Sequence, residues 1–227
     1  MSSMIRLDKY LANLWLVPRR LADRAVKSGA ILVNGQEIKK SDFKLAWGDV
    51  ITYEWQNIEV REYIYMLLYK SAGYVSSDED EFGYLSYKKQ MFNCPYVNLV
   101  HVAWRLDQDT EWLLLLSNDG QFIHKVISPK WEKEKEYEVH LESAISEENC
   151  KQLESWVTLD DGYFTLPAKV AKVEDKKILL TITEGKFHQV KRMLEAVWNK
   201  VIYLKRLRIW DWTLEGLEKW EWKMIEV

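Results

Sequence analysis

HVAWRLDQDTEWLLLLSNDG, residues 101–120, sets a cluster of charge directly against a buried run. Arg105, Asp107 and Asp109 come just before Leu113, Leu114, Leu115 and Leu116, so a charged site opens onto an apolar segment. If the chain is extended here, Arg105 and Asp107 share one face and Leu106 takes the other. A guanidinium beside a carboxylate favours the ionised form, and an ionised, positioned aspartate can serve as nucleophile or base. The same spacing suits a structural ion pair at a strand end, and the tripeptide alone does not choose between them. Trp104 stands directly before the arginine and Trp112 directly before the leucines. Two of the bulkiest side chains occupy places where a tight backbone is expected.

Upstream, RLDKYLANLWL carries Leu7, Tyr10, Leu11 and Leu14 as a helical stripe. Pro18 opens a second helix, whose buried face is Leu21, Ala22, Ala25 and Val26 and whose end is Ser28-Gly29. ILVNGQEI predicts a hairpin on Asn34-Gly35, and GDVITYEW one more strand. NIEVRE reads as a charged link to YIYMLLYK, a strand ending in a glycine-containing turn. Downstream, KEKEYEVHL alternates like an exposed strand, and SAISEENCKQLESW is a helix capped by Ser146. AKVAKVEDKKILLTITEG is a hairpin, with Glu184-Gly185 as the turn that aims the next helix. That helix, HQVKRMLEAV, is amphipathic with His188 and Lys191 one turn apart, and NKVIYLKRLRI is a basic strand. Strands dominate and no βαβ period or internal repeat occurs. The class expected is α+β: a small helix–helix–hairpin domain over residues 1–58, then a larger domain over 61–227 with a mixed, mostly antiparallel sheet.

Composition narrows the function. Hydrophobic residues are 48% and charged residues 30%, which suits a folded chain. No apolar run approaches the ~20 residues needed to span a bilayer, and MSSMIRLDKYLANL has no signal-peptide core. Cys94 and Cys150 have no CxxC spacing, which fits a reducing compartment, the cytoplasm. His101, His124 and His140 lack metal-ligand spacing, and no Ser-His-Asp pattern or glycine-rich phosphate loop occurs. Neither metal nor cofactor is expected. Net charge is −3, yet basic residues gather in two places. Arg19, Arg20, Arg24, Lys27, Lys39, Lys40 and Lys44 form one cluster; Lys186, Lys191, Arg192, Lys200, Lys205, Arg206 and Arg208 form the other. The distribution suits plain solvated faces or two contact zones for a phosphate backbone, where local potential counts for more than net charge.

RLDKYLANL, PRRLADRAVKSGAILVNGQEIKK and GDVI together resemble the alpha-L RNA-binding module of a small-subunit ribosomal protein and of many RNA-modifying enzymes. HVAWRLDQDTEWLLLLSNDG, SPKWEKEKEYEVHL and ITEGKFHQVKRMLEAVWNKVIYLKRLRI resemble, in order and spacing, the pseudouridine synthases of the RsuA type. The resemblance spans essentially the whole chain. It implies a nucleophilic Asp107, a Tyr137 (from Lys135-Glu136-Tyr137-Glu138-Val139) that stacks on the target uracil, and Lys191 as the basic partner of the aspartate, with Arg192 beside it. Isomerising uridine breaks the ribose–nitrogen bond, turns the base and rejoins it through carbon 5, so the base must leave the stack. The carboxylate can attack carbon 6 of the ring or the anomeric carbon, and the sequence leaves both open. Arg19, Arg20, Arg24, Lys27, Lys39, Arg105, Lys186, His188, Arg192 and Arg206 are the expected RNA contacts, with Arg206 on a phosphate-facing strand and His188 seating RNA or capping its turn. The partner implied is ribosomal RNA, free or in an assembly particle, met by a monomer. The HQVKRM form favours the small-subunit branch; a large-subunit synthase or a non-catalytic rRNA-binding factor are the alternatives.

The same resemblance places glycine where this chain has Trp15, Trp104, Trp112, Trp156, Trp198, Trp210 and Trp220. Glycine is 9 of 227 residues, below the usual ~7%, while tryptophan stands at 12. UGA codons, which some bacterial lineages read as glycine, account for both figures when they are translated as tryptophan. The rival reading is a decayed relative that binds RNA without catalysis.

Overall fold

The computed structural model describes residues 4–127 and 133–227, so the SPKWE part of the resemblance, 128–132, lies outside the described residues. The N-terminal helix Leu7–Asn13 buries Leu7, Tyr10 and Leu11, as its stripe requires. Arg19–Leu21 is a 3-10 turn leading into the helix Ala22–Lys27. Leu21 is therefore exposed, contrary to expectation, because about three residues per turn rotates it off the stripe that Ala22 and Val26 continue. Strands Ile31–Val33 and Gln36–Glu37 pair through Asn34 and Gly35, both at positive φ (52° and 74°). NIEVRE is not a plain link. Gln56–Glu59 pairs with Val50–Tyr53, and the turn between them holds Glu54 and Trp55 at φ 44° and 72°. Its geometry is that of an Asn-Gly turn, but its residues hide it.

Among the described residues the larger sheet has nine strands. Its main path runs Lys169–Glu174, Lys177–Ile182, Lys135–Leu141, Val201–Ile209, Glu111–Ser117, Tyr65–Lys70 and Trp222–Met224. Its pairings are antiparallel except that of Glu111–Ser117 with Val201–Ile209. The α+β class with a mostly antiparallel sheet is what the molecule has. KEKEYEVHL, expected to be exposed, is instead a central strand: Tyr137, Val139 and Leu141 are buried, and both of its edges are paired.

The leucine run follows from packing on two sides. Leu114 and Leu116 join a cluster containing Leu7, Leu11 and Ile58 of the first domain, while Leu113 and Leu115 pack with Phe122 and Val126 of the helix Gly120–Ile127. A second pair of helices, Glu147–Ser155 and Gln189–Ala196, buries Leu153, Met193 and Leu194 with Val139, Leu180 and Leu204. Ser146 accepts from the Asn149 amide at 3.1 Å, the expected cap.

Register then builds the site. Lys70 pairs with Trp112, Trp112 with Arg206, Arg206 with Tyr137, and Tyr137 with Leu180. One row across neighbouring strands thus carries two cations and two aromatic rings beneath the loop that bears Asp107.

Candidate active site

Residues 103–110 form a loop, not an extended strand. Arg105 and Asp107 consequently part company, which corrects the expected ion pair between them. Arg105 pairs with Glu81 of the acidic DEDE stretch. Asp107 is held by the helix Gln189–Ala196 and its cap: Lys191 Nζ lies 3.1 Å from one carboxylate oxygen and His188 Nε2 3.2 Å from the other. Lys191 also bonds both oxygens of Asp109, at 2.7 and 2.9 Å. Burial pulls its pKa down, but the Asp109 hydrogen bonds and the Asp107 charge outweigh this and raise it, so the ammonium is secured.

His188 sits at φ 49° in the left-handed region, a conformation that costs a non-glycine residue about 1 kcal/mol or more. Its side chain makes no capping bond; the Gln189 side chain accepts from the Lys186 amide at 2.8 Å instead. The unusual backbone aims the imidazole at Asp107 rather than at the turn.

Lys70 is the residue the sequence did not flag. Fully buried, it donates to the carbonyls of Ser71, Gln108 and Thr110 at 3.1, 3.4 and 2.8 Å, pinning the loop that bears Asp107. Burial pushes its pKa down to about 8 against the pull of Asp109 and Asp107. A lysine closing an apolar strand carries no signal for this, since two of the three carbonyls it meets, those of Gln108 and Thr110, lie far along the chain.

A cavity of about 560 Å³ opens above the row, lined by Asp107, Tyr137, Lys191, His188, Arg206 and Trp104 among others. Tyr137 is buried, which raises its phenol pKa. Arg206 is 5% exposed, so the expectation that it faces phosphate is corrected: cross-strand pairing with Tyr137 and Trp112 turns it into the cavity floor. Its guanidinium carbon lies 4.9 Å from the Tyr137 ring centre and 3.0 Å from that of Trp112. Arg192 is also drawn away, into ion pairs with Asp160 and Asp161. Lys186 stands over the Tyr163 ring at 4.3 Å on the rim. On the small domain Arg20, Arg24 and Lys39 are exposed, while Arg19 bonds Asp8 at 3.2 Å and Lys27 bonds Asp23 at 2.7 Å.

The tryptophans divide by geometry. Trp15, Trp198, Trp210 and Trp220 all have positive φ, as glycine positions do, and Trp55, which the sequence reading passed over, joins them. Trp104 and Trp112 have no such φ; there the demand is for room. Their rings stack 5.3 Å apart, and both indole nitrogens are buried without a hydrogen-bond partner. Trp156 meets neither criterion, because its backbone is ordinary extended chain (φ −171°, ψ 154°).

A small basic module is thus fused to a mixed sheet whose cavity holds an aspartate clamped by a lysine beside a buried tyrosine. The chain belongs to the RNA pseudouridylate synthase family, which matches residues 64–196, and its N-terminal part matches the S4 domain over residues 5–51. It is an RNA isomerase of that family. It is 42% identical to the uncharacterized RNA pseudouridine synthase YtzG of Bacillus subtilis, over 89% of this chain and 87% of that one. It is 38% identical to the ribosomal small subunit pseudouridine synthase A of Vibrio parahaemolyticus, covering 93% and 91%. It is 36% identical to the ribosomal large subunit pseudouridine synthase B of Bacillus subtilis, covering 94% and 89%. A pseudouridylate synthase crystal structure, 35% identical, superposes with a TM-score of 0.68 over 98% of this chain and 96% of that one.

Proposed function

We propose that the chain isomerises one uridine of small-subunit ribosomal RNA, with Asp107 as the nucleophile. The observation that carries this reading is the Asp107 carboxylate, shared between Lys191 and His188 at the mouth of a cavity floored by Tyr137 and Arg206. A flipped uridine brings its ring onto Tyr137 and its sugar against Asp107. Lys191 orients the carboxylate while it attacks either carbon 6 or the anomeric carbon. Arg20, Arg24 and Lys39 of the N-terminal module, with Lys186 on the cavity rim, meet phosphates and set the register of the RNA without reading its sequence. Arg105 joins them when phosphate displaces Glu81.

The small-subunit assignment is supported by the HQVKRM helix and by the identity to the Vibrio enzyme, and the large-subunit reading by the identity to the Bacillus synthase B. The protein works as a monomer in the cytoplasm, where ribosomal RNA is assembled. Incubation with unmodified small- and large-subunit rRNA and with partly assembled particles, followed by chemical labelling and primer extension, tests the reading. A single new pseudouridine in small-subunit rRNA is expected. A new site in large-subunit rRNA moves the assignment to the other branch, and binding without product makes the chain a non-catalytic rRNA-binding factor.

A further inference from the structure

Arg206 is a charge without a partner. It is 5% exposed and, among the described residues, no carboxylate forms an ion pair with it; its Nε is buried with no hydrogen-bond acceptor. Every other arginine named at the site is spoken for: Arg105 by Glu81, Arg192 by Asp160 and Asp161. The rings of Tyr137 and Trp112 flank the guanidinium, but ring faces satisfy its charge only in part and accept none of its in-plane N–H groups well. Buried arginine is ordinarily paired, because an uncompensated cation out of water is costly. Burial lowers its pKa to about 10, which still leaves it protonated at neutral pH. Arg206 lines the same cavity as Asp107.

The geometry points to Arg206 as a catalytic residue that donates hydrogen bonds to the carbonyl oxygens of the flipped uracil and stabilises the negative charge those oxygens acquire during isomerisation. This rests on the reading of the chain as a uridine isomerase. Both routes open to Asp107 generate that charge. If the carboxylate bonds to the anomeric carbon, the C1′–N1 bond breaks and its electron pair passes to N1 and spreads over O2 and O4. If it bonds to carbon 6, the C5–C6 π pair moves toward O4. In either case the pair returns from C5 to C1′, C5 gives up its proton, N1 gains one, and Asp107 is released, so atoms and electrons balance without a co-reactant. A fixed cation that need not reorganise is what such a developing oxyanion requires. A phosphate cannot be the intended anion, since the guanidinium lies at the cavity floor rather than on the surface over which a backbone runs.

The test compares Arg206→Gln and Arg206→Lys with the wild type in single turnover at saturating enzyme. The substrates are small-subunit rRNA transcripts containing uridine or 5-fluorouridine, read by digestion and mass spectrometry as loss of the parent nucleoside at the mapped site, because fluorine at C5 leaves no proton there for the last step to release. Fluorine stabilises the uracil anion, so it should substitute in part for the guanidinium. Arg206→Gln should slow the uridine reaction by about 100- to 1,000-fold, as loss of an oxyanion donor does. RNA affinity should be unchanged, and the defect should shrink by about tenfold on the fluorinated transcript. Equal defects on the two transcripts, a normal rate, or a defect that lies wholly in RNA affinity would overturn the proposal. If Arg206→Gln does not fold, Arg206→Lys decides: it must be slowed on uridine and less so on 5-fluorouridine, and a wild-type rate on uridine counts against the idea. A wild type that forms no product on any rRNA defeats the isomerase reading itself, an outcome distinct from all of these.

Discussion

The N-terminal module and the catalytic cavity spend the same residue types on opposite tasks. Arg20, Arg24 and Lys39 stand in solvent, where charge attracts phosphate at long range and is screened by salt. Arg206 and Lys70 are enclosed, and burial lowers both pKa values, to about 10 and 8. Tryptophan divides the same way: Trp55 and Trp198 are 99% and 96% exposed at positive φ, while Trp112 is fully buried under a guanidinium. On the proposed reading, exposed charge positions RNA, whereas enclosed charge holds a loop and a reacting base. Position in the sheet, not residue type, decides which.

The largest effect should come from inside. Lys191→Met leaves Asp107 with only His188 and should slow single-turnover isomerisation by about 10- to 150-fold, the ~1.5–3 kcal/mol of a hydrogen bond to a charged group. RNA affinity should hold. If affinity falls and the rate does not, the division between docking and chemistry is wrong.

Arg20→Ala and Arg24→Ala should do the reverse. Each should weaken binding across RNA sequences and lower the slope of log affinity against log salt by about 1, while the rate at saturating RNA stays put. Filter-binding titrations over a range of salt measure this, and a slope equal to that of the wild type would remove these arginines from the interface.

The smallest effects lie at the exposed tryptophans. Trp15→Gly, Trp55→Gly and Trp198→Gly should each stabilise the fold by roughly 1 kcal/mol, because glycine adopts the left-handed conformation freely and little buried surface is lost. Urea unfolding is the measurement, and destabilisation would show that the rings pack productively. Peptide sequencing of protein from its native source should find glycine at 104, and tryptophan there would end the account based on UGA codons.

Much of this was legible in the sequence, for identifiable reasons. Helices with clear stripes, such as Leu7–Asn13, and turns with the right chemistry, such as Asn34-Gly35, declared themselves. The hairpin at Glu54-Trp55 did not, since the turn geometry was carried by residues that ordinarily avoid it. Asp107, Tyr137 and Lys191 meet at the cavity, but the Arg105–Asp107 pair did not form because the loop turns the two apart. Lys70 and the burial of Arg206 depend on strand register, which links residues far apart in the chain and leaves no local pattern.

The most direct test of the whole account is Asp107→Asn, assayed for pseudouridine formation and for RNA affinity in the same preparation. The amide keeps the shape of the carboxylate and loses its charge. The account predicts that the wild type makes one new pseudouridine, the variant none, and that both bind rRNA equally. Product from the variant, or a wild type as silent as the variant while both bind, would contradict it.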